Sequence, residues 1–213
     1  MTRPNFDWFA PHYAWVEAVT FGGLLNWCRT ALIGELARAE RVLVLGEGDG
    51  RFLAAFLAAN RVAVVDVVDA SPGMVALARR RVAGLTSDRV RWHVADARQF
   101  DPPAGRYDLI VTNFFLDCFP TADLGPLVAR LARGLAPAGW WVVGDFAAPV
   151  GWAARAAAYP ALVAMYAFFH LATRIPAYRL VDPEPLLRAQ GFTREREELR
   201  LGGFLRASLW RGP

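Results

Sequence analysis

Residues 42–50 read V-L-V-L-G-E-G-D-G, a short apolar run that stops in three glycines with two acids between them. Gly46, Gly48 and Gly50 allow unusual backbone angles and the close approach of a ligand. The spacing departs from the dinucleotide fingerprint G-x-G-x-x-G, whose third glycine falls on Arg51. Glu47 and Asp49 would also repel a pyrophosphate. A nucleoside without phosphates, bearing a sulfonium and an ammonium, suits this loop better. Three later runs end in the same way. Asp69 closes V-V-D-A-S-P-G-M, where an acid can accept both ribose hydroxyls. Asp66 is a second carboxylate in that run, in the middle of its pattern, and Ser71 is a natural helix cap. Asp96 closes H-V-A-D-A-R, within reach of an adenine amino group. Asn113 and Phe114 close the run before F-L-D-C-F. Any one of these groups could be a cap or a turn residue. Four successive runs ending in this way point to a nucleoside site.

To meet at one edge, the four runs must be neighbouring strands of one sheet. The pattern supplies them. Strands are expected over 41–46, 61–69, 89–96, 107–114 and 139–146, with helices over 50–59, 73–83 and 123–135. Alternating strands and helices imply an α/β fold with parallel pairing and helices on both faces. Runs such as V-L-V-L and L-I-V fit strands buried on both sides. A helix over 12–38 broken at Gly22-Gly23 precedes them. A short helix over 182–190 and two strands, 192–201 and 204–211, joined by Gly202-Gly203, follow and predict an antiparallel end to the sheet. The expected organisation is one domain: a helical cap (1–39), a cofactor-binding core (40–146), a helical lid (147–180), and a terminal helix and hairpin (181–213).

The bulk numbers allow a large core. The chain has 213 residues, 55% of them hydrophobic, with a mean hydropathy of +0.23. All 24 basic residues are arginine, which excludes lysine chemistry such as a Schiff base or a P-loop. Despite a net charge of +4, the arginines are scattered, and no nucleic-acid partner is expected. Arg79-Arg80-Arg81 reads as a solvated helix end. Cys28 and Cys118 have neither zinc nor disulfide spacing, so a reducing cytoplasm is expected. The first fifteen residues lack the apolar core of a secretory signal. Residues 156–173 carry no formal charge, but Pro160 interrupts them and His170 lies inside. They read as a buried or substrate-covering helix, with peripheral membrane contact through 150–178 as the second reading.

V-L-V-L-G-E-G-D-G, V-D-A-S-P-G-M, V-A-D-A-R, Y-D-L-I-V-T-N-F-F and L-A-R-G-L-A-P-A-G-W-W-V-V-G-D-F together resemble the successive motifs of class I S-adenosylmethionine-dependent methyltransferases. The resemblance covers about 40–146, with weaker likeness in Q-G-F (190–192) and the terminal hairpin. The segment F-D-W-F-A-P-H-Y-A-W loosely resembles the start of the quinone C-methyltransferases. The resemblance implies a Rossmann-like seven-stranded, mostly parallel sheet with the last strand antiparallel. It implies S-adenosylmethionine as methyl donor and S-adenosylhomocysteine as product. It places the methionine part on Gly46, Glu47, Gly48 and Gly50, and the ribose on Asp69, with Ala70 beside it. Adenine falls to Asp96 and the Ala97 backbone, with Met74 and Phe114 packed against the adenosine and Asn113 at the floor of the crevice. One departure stands out: the acid that often sits inside the family's first strand is Val44 here.

The methyl acceptor should lie above the fourth and fifth strand ends. Asp117 is placed to orient or deprotonate it, or simply to cap a helix. His12, Tyr13 and His170 are further candidates, each with a core role as the plainer alternative. Aromatic residues of the cap and lid, from Trp8 to Phe169, suggest a small apolar or aromatic acceptor methylated at oxygen or carbon. T-N-F-F replaces the N-P-P-Y segment of amide and nucleobase methylation. No metal-ligand cluster is evident. Two competing readings remain: a non-catalytic, membrane-associated module of the same fold, which Val44 would favour, and an NAD-dependent oxidoreductase.

Overall fold

The computed structural model describes residues 23–85, 87–148 and 181–213. Strand β1 (Arg41–Leu45) has Val42, Leu43, Val44 and Leu45 all at 1% exposure or less. A strand buried on both faces needs a cover on each side. Helix α1 (Leu24–Thr30) and helix α2 (Arg51–Ala59) give one cover: Cys28, Phe52 and Phe56 pack with Val42 and Val44. On the other face Leu43 and Leu45 pack with Leu124, Leu127 and Leu131 of helix α4 (Thr121–Arg133). Val44 is therefore a core residue, packed away from the loop that follows it.

Between these helices β2 (Val64–Asp69), α3 (Pro72–Val82), β3 (Val90–Val94), β4 (Tyr107–Asn113) and β5 (Leu135–Phe146) continue the alternation. Helix α5 (Glu184–Ala189) and strands β6 (Thr193–Arg200) and β7 (Leu205–Arg211) complete the described chain. The sheet order is β3-β2-β1-β4-β5-β7-β6. Strands β1 to β5 pair in parallel, and β7 runs antiparallel to both β5 and β6. This is the expected seven-stranded, mostly parallel sheet with an antiparallel last strand. The chain steps from β1 to β2 to β3 in one direction and returns to place β4 on the other side of β1. That reversal opens a crevice beyond the carboxyl ends of β1 and β4.

Several boundaries differ from the sequence pattern, each for a local reason. Strand β2 begins at Val64, not at residue 61. Asn60, fully buried, donates to the carbonyls of Leu36, Ala37 and Ala39 and accepts from the amides of Val62 and Ala63, which folds 61–63 into a turn. Strand β3 ends at Val94, because the Asp96 carboxylate takes the Arg98 amide in a tight turn. Helix α1 ends at Thr30 and a 3₁₀ turn, Ile33–Leu36, follows where a continuous helix was expected. The Thr30 hydroxyl donates back to the Asn26 carbonyl at the point where the helix stops. Strand β5 starts four residues early, at Leu135, past an irregularity opposite Tyr107 and Leu109. The expected helix through 12–22 and the lid at 150–178 lie outside the described residues. Among the described residues no helix is long and apolar enough to cross a membrane.

Candidate functional site

The crevice is built one strand end at a time. After Leu45 the chain turns through Gly46 and Gly48, both at positive φ, 65° and 67°. A side chain at Gly46 would run into the Phe115 ring, whereas one at Gly48 would enter open space. Gly46, Glu47 and Gly48 line the cleft with Asp69, Ala70 and Met74 from the β2 end. Asp96 and Ala97 reach it from the β3 end, and Asn113 and Phe114 from the β4 end. Gly50 does not line it and packs against Ala78 of α3. Asp117 sits in a 3₁₀ turn, Leu116–Cys118, just beyond β4 and is buried behind the cleft wall that Phe115, Cys118 and Phe119 form. His12, Tyr13 and His170 lie outside the described residues.

Hydrogen bonds fix most of these groups. Asp69 accepts from the Gly48 amide at 3.1 Å and from the Ser71 amide at 2.9 Å, so one carboxylate ties the glycine loop to the start of α3. Ser71 caps α3 by accepting from the Met74 amide. Asp96 receives Arg98 on both oxygens, with Nη2 at 2.7 Å. The Asn113 side chain is different: its nitrogen and oxygen are both buried without a partner. It lies against β5 where Gly144 leaves room, since a Cβ there would come within 2.4 Å of Asn113 Oδ1. Phe114 has a φ of +51°, which a non-glycine residue rarely adopts, and its amide donates to Gly144. Backbone outliers of this kind concentrate at functional sites.

The two acids of the glycine loop have separate fates. Asp49 turns away and is neutralised by Arg51 at 3.0 Å and Arg81 at 2.8 Å. Arg79, Arg80 and Arg81 form the exposed last turn of α3, as expected, and Arg81 in addition clamps the loop. Asp66 belongs to another cluster, with His93 at 2.8 Å and the Tyr107 hydroxyl at 3.3 Å. Glu47 stays in the cleft, where it accepts from the Leu53 amide at 2.9 Å and so caps the first turn of α2. Burial pushes its carboxyl up to about 8, with Asp49 and Asp69 adding to the shift and the Leu53 amide and Arg29 opposing it. Arg29, on α1, also lines the cleft, with its guanidinium 5.1 Å from the Phe114 ring centroid. Nothing in the sequence around Arg29 marks it, because its role comes only from the packing of α1 over the strand ends.

Glu47 gives a prediction about pH. Folded, it holds its proton up to pH about 8, whereas in the unfolded chain it loses it near its ordinary value of 4.5. Between those values the native state binds more protons, so this group's contribution to stability is lost progressively from about pH 4.5 and is gone above about 8. Glu47→Gln, which keeps an acceptor for the Leu53 amide, should melt close to the native protein at pH 4, below both values. At pH 9 it should melt higher, by at least about 2–4 °C, which corresponds to about 1 kcal/mol in a chain of this size. A melting difference that stays constant between the two pH values would show that Glu47 is ionised throughout.

Residues 42–139 match the family described as methyltransferase domain. The trans-aconitate 2-methyltransferase of Methylobacterium nodulans is 38% identical over 104 residues, 49% of this chain and 37% of the relative. Polyamine aminopropyltransferase 2 of Bacillus anthracis is 31% identical over 122 residues, 52% of this chain and 34% of the relative. The chain thus spans about a third of the length of the curated relatives it matches. Among solved structures, the 1,6-didemethyltoxoflavin-N1-methyltransferase of Burkholderia thailandensis, with bound 1,6-didemethyltoxoflavin and S-adenosylhomocysteine, aligns at a TM-score of 0.66. It is 21% identical, and the alignment covers 97% of this chain and 85% of that one, a likeness of fold. Residues 42–139 thus match a methyltransferase domain, and the sheet that carries them has a Rossmann-like methyltransferase fold.

Proposed function

We propose that this protein transfers a methyl group from S-adenosylmethionine to a small apolar or aromatic acceptor, at oxygen or carbon, and releases S-adenosylhomocysteine. The observation that supports this most is the cleft: Asp69, Asp96 and Asn113 converge there from three strand ends, and both polar atoms of Asn113 are buried and unpartnered. Ribose hydroxyls and an amino group would pair with the two carboxylates, and Asn113 would join them by turning its amide toward the cleft. In this reading Asp69 takes the ribose hydroxyls, with Ala70 beside it, and Asp96 with the Ala97 backbone takes the adenine. Met74 and Phe114 pack against the adenosine. Gly46 and Gly48 give the methionine part room to lie along the main chain. Glu47 and Arg29 offer it one ionisable acid and one cation. Gly50 shapes the loop from behind. The bound donor supplies a methyl group on a sulfonium, open to in-line displacement.

Much of the rate then comes from holding acceptor and methyl group in line. Asp117 is a buried carboxyl just beyond β4; it does not itself line the cleft, and it would reach an acceptor there only with a shift of Cys118 or Phe119, which do line it. Burial pushes it up to about 6, in the range where a carboxylate is a useful proton acceptor at neutral pH. Asp117→Asn is expected to leave the donor's Kd within about twofold and to lower kcat by about 10²-fold, the lower end of general-base contributions. Unchanged turnover would remove Asp117 from the reaction.

The test is titration calorimetry with S-adenosylmethionine, S-adenosylhomocysteine and NAD in parallel, followed by radiolabelled methyl transfer to a panel of phenols, quinols and heteroaromatic compounds. Binding of the two sulfur nucleosides and not of NAD is expected, and then a labelled product. Binding of NAD alone, or of none of the three, would overturn the reading. Donor binding with no labelled product from any acceptor would favour a non-catalytic module.

A further inference from the structure

Asp145, near the end of β5, entered no sequence motif, yet it is 3% exposed and sits against Asp117, which is 7% exposed. Its Oδ1 accepts from the Phe146 amide at 2.9 Å. Its Oδ2 is buried with no donor. Among the described residues no arginine is paired with either carboxyl. Arg206, opposite Asp145 in the β5–β7 register, sends its guanidinium to Asp182 and Glu184 instead. Among the described residues two thiols also face the pair, and Arg29 of α1 is close enough to act on one of them, Cys28. Cys28 of α1 lies beside Asp145, and Cys118 places its Sγ 3.5 Å from Asp117 Oδ1. Burial pushes the Cys28 thiol up to about 12 and the Cys118 thiol well above its usual range, so both stay neutral.

Two adjacent buried carboxyls with no cation cannot both be ionised. A proton on one of them would also supply the donor that Asp145 Oδ2 lacks. We propose that Asp117 and Asp145 form an acid–carboxylate pair that holds one proton between them and takes the second from the methyl acceptor. The inference rests on the reading of Asp117 given above and adds Asp145 as its positioning residue. Burial pushes Asp145 well up, Asp117's charge adds to this, and the backbone amides of Phe146 and Asp117 oppose it. Asp145 Oδ2, buried without a donor, is the oxygen that carries the shared proton, and Asp117, which already accepts from Cys118 Sγ, is the carboxylate that gains one. For a hydroxyl acceptor, the acceptor oxygen bonds to the methyl carbon, the carbon–sulfur electron pair stays on sulfur, and the hydroxyl proton goes to Asp117. The pair ends neutral and returns its extra proton to water after product release. The same arrangement accounts for the buried position of Asp117: the pair carries one negative charge where two would be prohibitive.

Two measurements test it. Infrared difference spectra of the native protein minus Asp145→Asn at pH 7 should show one protonated carboxylic acid carbonyl that the variant lacks. Glu47 is common to both and cancels. Absence of that band would overturn the pair whatever the turnover data show. The acid limb of the kcat profile gives the second readout. Asp145→Ala removes the donor to Asp117, so the limb should move up by about one pH unit or more. Asp145→Asn, which restores an N–H donor, should bring the limb back. Should Asp145→Ala fail to fold, the infrared comparison with Asp145→Asn decides alone. A limb that stays in place in Asp145→Ala while Asp117→Asn is slow would overturn Asp145's part and leave Asp117's intact. Full turnover in Asp117→Asn would instead overturn the reading of Asp117 itself.

Discussion

Asp69→Ala is expected to weaken S-adenosylhomocysteine binding by about 1–3 kcal/mol, or about 5- to 150-fold in Kd. The carboxylate has two tasks, both lost on truncation. It would accept the ribose hydroxyls, and it already holds the Gly48 and Ser71 amides. Losing the first leaves ligand hydroxyls desolvated and unpaired. Losing the second frees the glycine loop that lines the cleft. Asp69→Asn separates them. Its side chain keeps one carbonyl acceptor for an amide but presents an N–H in place of the other oxygen. The asparagine variant should therefore melt closer to the native protein than the alanine variant while still binding the nucleoside poorly. Calorimetry and thermal melts on the same three proteins would show it. Native affinity in Asp69→Ala would remove this residue from the site, and native affinity in Asp69→Asn alone would mean that the loop tether is what counts.

Which parts of this arrangement the sequence reveals follows from which interactions are local. The central strands β1 and β4 are legible because each is buried on both faces, so Val42 to Leu45 and Leu109 to Val111 must be apolar without a break. The strand-end polar groups are legible because the parallel topology requires Asp69, Asp96 and Asn113 to come out on one edge. Charge pairing is not legible. Glu47 and Asp49 stand two residues apart in one acidic loop, yet one faces the cleft and the other is bound by Arg51 and Arg81. Arg81 is 32 residues away, and only the packing of α3 brings it there. Asp145 is hidden for the same reason. In W-V-V-G-D-F it reads as one more strand residue, and its meaning depends on a neighbour reached through the turn beyond β4. The early end of β2's turn is hidden too, since Asn60 looks like an ordinary helix-stop residue until its side chain is seen to bond five backbone groups. Gly144 has a signal that could have been used: a glycine inside an apolar strand marks the close approach of another group. Here that group is the Asn113 amide.

Gly50→Ala should be the most destabilising single methyl group in the loop. Gly50 has a φ of +86° and stands at the N-terminus of α2. An L-residue in that region costs about 1–2 kcal/mol before any contact is counted. Contact then adds to it, because a Cβ at this position would fall 2.7 Å from the Ala78 Cα in the backbone of α3, a group that cannot rotate away. Helices α2 and α3 would have to separate, and both carry buried side chains, Phe56 and Leu57 on one and Val75 and Ala78 on the other. The combined loss should reach about 2–4 kcal/mol, which for a chain of this size is a fall in Tm of about 5–15 °C. Gly48→Ala is the matched control. Its φ is similar, +67°, but its Cβ would meet nothing within 4 Å. It should lose only the conformational part of the stability, yet place a methyl group in the cleft where the donor would lie. The two variants should therefore fail in opposite ways. Gly50→Ala should melt much lower and, at a temperature where it remains folded, still bind S-adenosylhomocysteine. Gly48→Ala should melt only a few degrees below the native protein and bind it poorly. Equal melting temperatures would mean that the Ala78 contact is not what requires a glycine at 50. Equal affinities would mean that the glycines are there for the turn alone and that the ligand does not lie against the loop.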